Sequence, residues 1–361
     1  MTDIMTRPLP RHCLPHWLRL SHSFRLSHSF RIPHELRMPP HGLRLPLWLS
    51  LFALTLQAAA ASAFPSRPVR LIVPFAPGGN VDISARIIAP HLGEVLGQPV
   101  IVDNRPGAGG GLGTGLAAKS TPDGHTLLVG SSGTLSVNPV IFRNLPYDSL
   151  KDFAPISTVQ AVPLVVLAGP KSGLQSVADL VAAAKARPGT VTTASAGTGT
   201  TNHFAIELFA QMAGIQLVHV PYKGSGPALT ELLGGQVETM IDQLAASIGH
   251  IRDGRLRVLA VTTPQRSAVL PQVPTLDELG YKGYQAATLL GLLAPAATPS
   301  PVVGALNAAL RKVMDQPAVA ERFRGLGASP GASSSAEFAA RIRTELEQWQ
   351  TLAKQAQLKF D

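Results

Sequence analysis

The sequence has 361 residues, more than one average domain holds. Hydrophobic residues make up 45% and charged residues 15%, which excludes an intrinsically disordered chain and provides for large cores. The net charge of +9 would suggest a nucleic-acid partner, but its placement excludes one: seven of the 31 arginines and lysines, and only Asp3 and Glu35, precede Phe64, which leaves 24 basic against 20 acidic residues with no basic run.

Residues 1–63 read as a leader. Arg37 and Arg44 precede the apolar stretch 45–56, and an alanine run closes in Ala61-Ser62-Ala63, the order of positive region, apolar stretch and A-x-A cleavage site. Export with cleavage after Ala63 is expected, because the apolar stretch is shorter than the roughly 18 to 20 residues that span a bilayer. Residues 1–37, with Leu-Ser-His-Ser-Phe-Arg repeated at Leu20 and Leu26, read as an over-extended start upstream of Met38. Cys13 is the only cysteine and lies in this region, so neither a disulfide framework nor a lipid-modified N-terminus is expected.

From Val69 onward, short Val-, Ile- and Leu-rich runs bounded by Gly or Pro alternate with helical patterns. The runs at 69–73, 100–102, 126–129, 164–167, 191–194, 217–220, 238–241 and 257–261 predict strands buried on both faces. Helices are predicted over 82–96, 176–186, 203–212, 227–233 and 301–314. Ser176 and Asp179 stand at capping-box spacing, and Ser300 is the expected N-cap before Pro301. In the last helix Ser334 and Glu337 form a second capping box, and Phe338, Ile342, Leu346, Trp349 and Leu352 mark an apolar stripe that must dock on a lobe.

The fold class is therefore α/β, with each lobe a mostly parallel sheet flanked by helices. Two segments interrupt the alternation, 153–169 and 286–295, and read as two interlobe crossovers. They predict a first lobe of residues 64–165 and 285–361 and a second lobe of residues 166–284, with a cleft between them.

Glycine clusters follow strands and precede helices: Pro77-Gly78-Gly79, Gly107-Ala108-Gly109-Gly110-Gly111, and Ser195-Ala196-Gly197-Thr198-Gly199-Thr200-Thr201. At that edge of an open sheet, helix N-termini offer unpaired N–H groups and a positive dipole end to an anion. Glycine lets the backbone approach a ligand closely. Ser195, Thr198, Thr200 and Thr201 add hydroxyl donors suited to a carboxylate. The Gly107–Gly111 cluster serves equally as an ordinary turn.

Enzyme signatures are missing. The glycines do not fit G-x-G-x-x-G in strict register, and no G-x-x-x-x-G-K-[ST] or H-E-x-x-H occurs. His91, His125, His203, His219 and His250 are dispersed without metal-ligand spacing. Of these, His203 stands nearest a glycine turn, where it reads as ligand-proximal or as a helix-start residue. No catalytic residue, cofactor or metal is expected.

Five motifs resemble those of the substrate-binding proteins of tripartite tricarboxylate transporters, the Bug family: Pro74-Phe-Ala-Pro-Gly-Gly-Asn-Val-Asp-Ile-Ser-Ala-Arg86, Val102-Asp-Asn-Arg-Pro-Gly-Ala-Gly-Gly-Gly111, Pro122-Asp-Gly-His-Thr-Leu127, Pro221-Tyr-Lys-Gly224 and Leu232-Leu-Gly-Gly-Gln-Val237. They occur in order and cover the chain from Phe64 to its end. The resemblance implies a two-lobed type II periplasmic-binding-protein fold (Venus flytrap) that captures a small carboxylate in the periplasm and delivers it to the membrane permease subunits of such a transporter. The alternatives are a ligand-loaded sensor docking on a receptor kinase and a Rossmann-type dinucleotide enzyme.

Carried over by the resemblance, the ligand site comprises Phe75, Ala76, Pro77, Gly78 and Gly79 from the first turn and Ser195, Ala196, Gly197, Thr198, Gly199 and Thr200 from the second. The third turn, Gly130-Ser131-Ser132-Gly133, forms a wall. Asp82 matches a family aspartate that buttresses the first turn. Tyr222 fits either the cleft or the packing, and Asp242 follows the next strand. Lys223 and Arg86 read as carboxylate clamps, or more often as structural ion pairs or solvated faces. His125 stands where the family commonly has an aromatic residue.

Overall fold

The computed structural model describes residues 64–355; the expected leader and its cleavage point after Ala63 lie outside the described residues. The first half opens with β1 (Val69–Val73), α1 (Asn80–Leu96), β2 (Val100–Asn104), α2 (Gly111–Ala118) and β3 (Thr126–Ser131). β1 lies between β2 and β3 and runs parallel to both, with Leu71 opposite Val102 and Leu127. These strands are Val- and Leu-rich because they are covered on both sides: Leu71, Ile72, Leu127 and Leu128 are fully buried. Each such side chain contributes about 1.5–3 kcal/mol. A π-turn at Gly133–Val137 and the short α3 (Asn138–Ile141) follow β3 directly.

β4 (Phe153–Ala168) is a 16-residue strand that serves both halves. Residues 153–163 pair antiparallel with β9 (Ala287–Pro295), whereas Leu164 onward pairs with β7 (Thr239–Gln243) and β8 (Arg257–Val261). Its partners thus change at Pro163 and Leu164, and β9 also joins β3, so both crossover segments are themselves strands. Pro155 and Pro163 argue against a strand on sequence grounds; bulges beside Pro155 and between Thr158 and Gln160 accommodate the break in pairing.

The second half repeats the first scheme with α4 (Val177–Ala186), β5 (Thr192–Ser195), α5 (Thr201–Ala213), β6 (Val218–Pro221), α6 (Ser225–Gly234), then β7, α7 (Leu244–Arg252) and β8. β5 lies parallel to β6 and β7. The parallel strands therefore sit on the outside of each half, and the antiparallel crossovers join the halves into one continuous order, β2-β1-β3-β9-β4-β7-β5-β6.

After β9 come α8 (Ser300–Met314), α9 (Pro317–Gly325), β10 (Ser329–Pro330) and α10 (Ser335–Gln355). Ser300 is helical and Pro299 takes the N-cap place, one residue earlier than the sequence suggests. The capping box before α10 forms as expected: Glu337 N donates to Ser334 Oγ at 3.2 Å, and Ser334 N donates to the Glu337 carboxylate at 2.8 Å. The stripe of α10 docks on both halves rather than one. Phe338 and Ile342 pack among Ile72, Leu128 and Leu293, while Trp349 meets Phe204 edge-on at 4.6 Å. Among the described residues no helix is long and apolar enough to cross a membrane.

Candidate functional site

Three helix N-termini meet where the halves face each other, because each follows a parallel strand and starts at its carboxyl end. They are the first residues of α1, α5 and α6. The first N–H groups of any helix have no partner within it. At α1 and α6 the N-cap residues are Gly79 and Gly224, which supply no side-chain cap; at α5 Thr200 accepts from His203 N. A small cavity lies among these ends, walled by Phe75, Gly79, Asn80, Val81, Ser131, Gly133, Ala196, Thr200, Thr201, Asn202, Ser225 and Gln243. No wall residue carries a charge. An anion there would be held by N–H dipoles and amide groups.

Of the residues proposed from sequence, Phe75, Gly79, Ser131, Ala196 and Thr200 line this cavity; Ala76, Pro77, Gly78, Asp82, Ser132, Ser195, Gly197, Thr198, Gly199, His203, Tyr222 and Asp242 do not. Several of these build the turns instead. Asp82 is buried behind the first turn, where it accepts from Gly78 N at 3.0 Å, Asn104 Nδ2 at 2.9 Å and Arg86 Nε at 3.0 Å. Burial pushes its carboxyl up, but the donors Arg86, Gly78 and Asn104 outweigh that and hold it below the usual range. Arg86 is thereby a structural partner of Asp82 and is not a cavity wall. Ser132 Oγ accepts from Leu289 N at 2.9 Å and ties its turn to β9.

Three of the four hydroxyls named in the second turn also have partners within the protein. Thr200 Oγ1 donates to Gly197 O at 2.7 Å, Ser195 Oγ lies 2.6 Å from His219 Nε2, and Thr201 Oγ1 lies 2.7 Å from Thr288 Oγ1. Short hydroxyl side chains satisfy nearby groups readily, so the same chemistry that suits a ligand also suits a turn. His203 is buried and stacks on His219 with ring centroids 4.1 Å apart. Burial, then the neighbouring His219, drive His203 down to about 3, and burial drives His219 down to about 4. Both rings are neutral near pH 7.

Asp242 lies fully buried beneath the second-half helix ends. It accepts from Ser225 Oγ at 2.6 Å and Asn202 Nδ2 at 3.0 Å, so one carboxylate fixes a wall residue from each of α5 and α6. Burial pushes it up to about 6 against the bonds from Ser225, Gln243 N and Asn202. Tyr222 packs partly buried against the core, with its N–H donating to Ser195 O at 3.1 Å.

Glycine sets how closely the halves approach. Ala76 N donates to Lys223 O across the gap at 2.9 Å. A Cβ built on Gly226 would lie 2.2 Å from Pro77 O, and one on Gly109 would lie 1.9 Å from Thr198 O. The Gly107–Gly111 cluster is thus a contact between halves and contributes no wall to the cavity. Gly133 and Thr201, marked in the sequence as part of a wall turn and as a hydroxyl donor, also line the cavity. Sequence reading missed Asn80, Val81, Asn202, Ser225 and Gln243. Four of these stand in a helix immediately beyond a marked glycine or Gly/Ser/Thr motif, a position that would have signalled them.

Comparison with known proteins agrees with this architecture. Residues 84–358 match the family described as tripartite tricarboxylate transporter family receptor. Protein BugT of Bordetella pertussis is 40% identical over 321 residues, covering 88% of this chain and 98% of BugT. The periplasmic binding protein BugD superposes with a TM-score of 0.80 at 34% identity, over 82% of this chain and 100% of BugD. MatC from Rhodopseudomonas palustris, solved with bound malate, superposes with a TM-score of 0.78 at 34% identity, over 80% of this chain and 99% of MatC. The chain belongs to the tripartite tricarboxylate transporter receptor family, whose members are solute-binding receptors and not enzymes.

Proposed function

We propose that this protein works in the periplasm, where it closes its two halves on a small organic di- or tricarboxylate and hands the acid to the membrane permease subunits of a tripartite tricarboxylate transporter. The observation that carries this reading is the meeting of three helix N-termini around a cavity with no charged wall. Burying a carboxylate is costly unless its oxygens find donors, and each hydrogen bond to a charged acceptor returns about 1.5–3 kcal/mol. N–H groups at α1 belong to one half and those at α5 and α6 to the other, so only the closed form supplies all of them. That difference in affinity is what drives closure.

The likeness to MatC with malate supports an acid of this class, and the A-x-A leader supports export. The test is a thermal-shift screen of residues 64–361 against malate, succinate, citrate and adipate. At about 100 times its dissociation constant a ligand stabilises the protein by about 2.7 kcal/mol, a readily measured rise in melting temperature. Co-purification of the loaded protein with permease subunits tests the partner. Failure of every acid to shift the transition would overturn the reading.

A further inference from the structure

We infer that Asn80 is a specificity-determining residue whose side-chain Nδ2 donates to a carboxylate oxygen of the ligand, the amide being locked in that orientation by Gln160 and Ser84. The inference rests on the carboxylate-receptor reading of the cavity. It starts from a buried chain of hydrogen bonds between α1 and β4. Ser84 Oγ lies 2.6 Å from Asn80 O. A carbonyl oxygen only accepts, so the single hydroxyl hydrogen of Ser84 points at it. Gln160 lies 2.5 Å from Ser84 Oγ, which now can only accept, so the facing Gln160 atom is Nε2. The same Nε2 lies 2.8 Å from Asn80, and because two NH2 groups do not bond to each other, the Asn80 atom facing it is Oδ1.

The amide of Asn80 therefore has a fixed sense, with Nδ2 on the branch away from Gln160. That nitrogen is buried without a protein partner, on a residue that is 2% exposed and walls the cavity. Buried polar groups are nearly always hydrogen-bonded, and a donor left unpaired in a binding cavity points to a ligand acceptor. An amide NH2 donates and does not accept, so at this place it suits a carboxylate oxygen and opposes an ammonium group. Gln160 and Ser84 act through Asn80 and are positioning residues.

Asn80→Asp tests the assignment with little change of shape, because the carboxylate keeps the oxygen that accepts from Gln160 and changes only the free nitrogen to oxygen. The helix start offsets part of the cost of the buried charge. Isothermal titration would use whichever of malate, succinate, citrate and adipate most raises the wild-type melting temperature. Asn80→Asp is expected to weaken binding roughly a hundredfold or more through like-charge opposition, and Asn80→Ala about tenfold to a hundredfold through loss of the bond, with a cooperative unliganded melting transition in each variant showing that it folds. Wild-type affinity in both variants would overturn the assignment while leaving the receptor reading intact. So would loss in Asn80→Asp with full affinity in Asn80→Ala, which would show charge repulsion without a donor role. If no acid binds the wild type, the receptor reading fails and this inference with it.

Discussion

Gly226 offers the sharpest test of closure. It lies in the first turn of α6, on the second half, and its built Cβ sits 2.2 Å from Pro77 O of the first half, about 1.2 Å inside the 3.4 Å at which ordinary contact begins. Its backbone is ordinary helix, so Gly226→Ala introduces no conformational strain; alanine in a helix is favoured over glycine by up to about 1 kcal/mol. The open form should therefore be as stable as wild type or slightly more so. The closed form must accommodate a methyl group against backbone, an overpacking that costs about 1–3 kcal/mol. Binding that depends on closure is then weakened by about fivefold to 150-fold. Isothermal titration with a bound acid reads the affinity, and small-angle scattering should show a larger radius of gyration for the liganded variant than for liganded wild type. An unchanged dissociation constant would mean that these turns stand apart when ligand is bound, and the reasoning from their contact would fail.

Three further predictions concern buried charge. Asp82→Ala removes the acceptor of Gly78 N, Asn104 and Arg86 and should lower stability by about 2–3 kcal/mol in urea unfolding. Because its folded-state pKa is depressed, the wild-type contribution is complete above the unfolded value of 3.8 and fades only as pH falls below it through the folded value. Asp242 has the opposite sign: raised to about 6, it makes stability decline as pH climbs from 3.8 to 6 and level off above. Asp242→Asn keeps the oxygen that accepts from Ser225 and Asn202, so it should gain up to about 3 kcal/mol at pH 7.5, with the gain gone by pH 4. The His203–His219 pair, lowered to about 3 and 4, contributes stability that is present above the unfolded value of 6.5 and lost as pH falls below it, about 2 kcal/mol per ring by pH 5. This outweighs Asp242 over the same interval, so the melting temperature should fall from pH 7 to pH 5, and less so in His203→Gln.

The strands of the parallel cores were legible because burial on both faces leaves a nearly continuous apolar run, broken at Val69–Val73 by Arg70 alone. β4 was legible only at 164–167. Its first part, with Pro155, Pro163, Ser157 and Gln160, lacks a simple alternation because it is bulged and shared between partners. Ser157 and Gln160 are buried there as hydrogen-bonding groups, a role no periodicity reveals. In the site, glycine marked the turns, since close approach of backbone to backbone leaves no other choice at Gly109 and Gly226. The walls were harder. Asn80, Asn202 and Ser225 stand at the starts of helices, where such residues usually serve as caps, and Gln243 reaches the cavity only because β7 ends beneath α5 and α6. Which hydroxyls face a ligand and which hold the turn depends on a neighbour elsewhere in sequence, as Thr288 is to Thr201.

The facing helix ends also say why charge, and not shape alone, should govern closure. A Cβ on Gly79 would lie 3.5 Å from Ser225 N, so the starts of α1 and α6 stand nearly head to head. Each carries a positive dipole end equivalent to about half a charge. At about 5 Å and an effective dielectric constant near 20, two such ends repel by about 1 kcal/mol, whereas a carboxylate placed at about 4 Å attracts each by about 2 kcal/mol. Asp82 and Asp242 stand at these two starts and offset part of that repulsion; a ligand carboxylate adds the further attraction. A neutral molecule of the same shape adds none of it. The diamide of whichever diacid binds should therefore fail to shift the melting temperature at concentrations where the acid saturates, even though its carbonyl oxygens can still accept hydrogen bonds. Equal stabilisation by diamide and diacid would assign recognition to hydrogen-bond geometry alone and remove the helix ends from the mechanism.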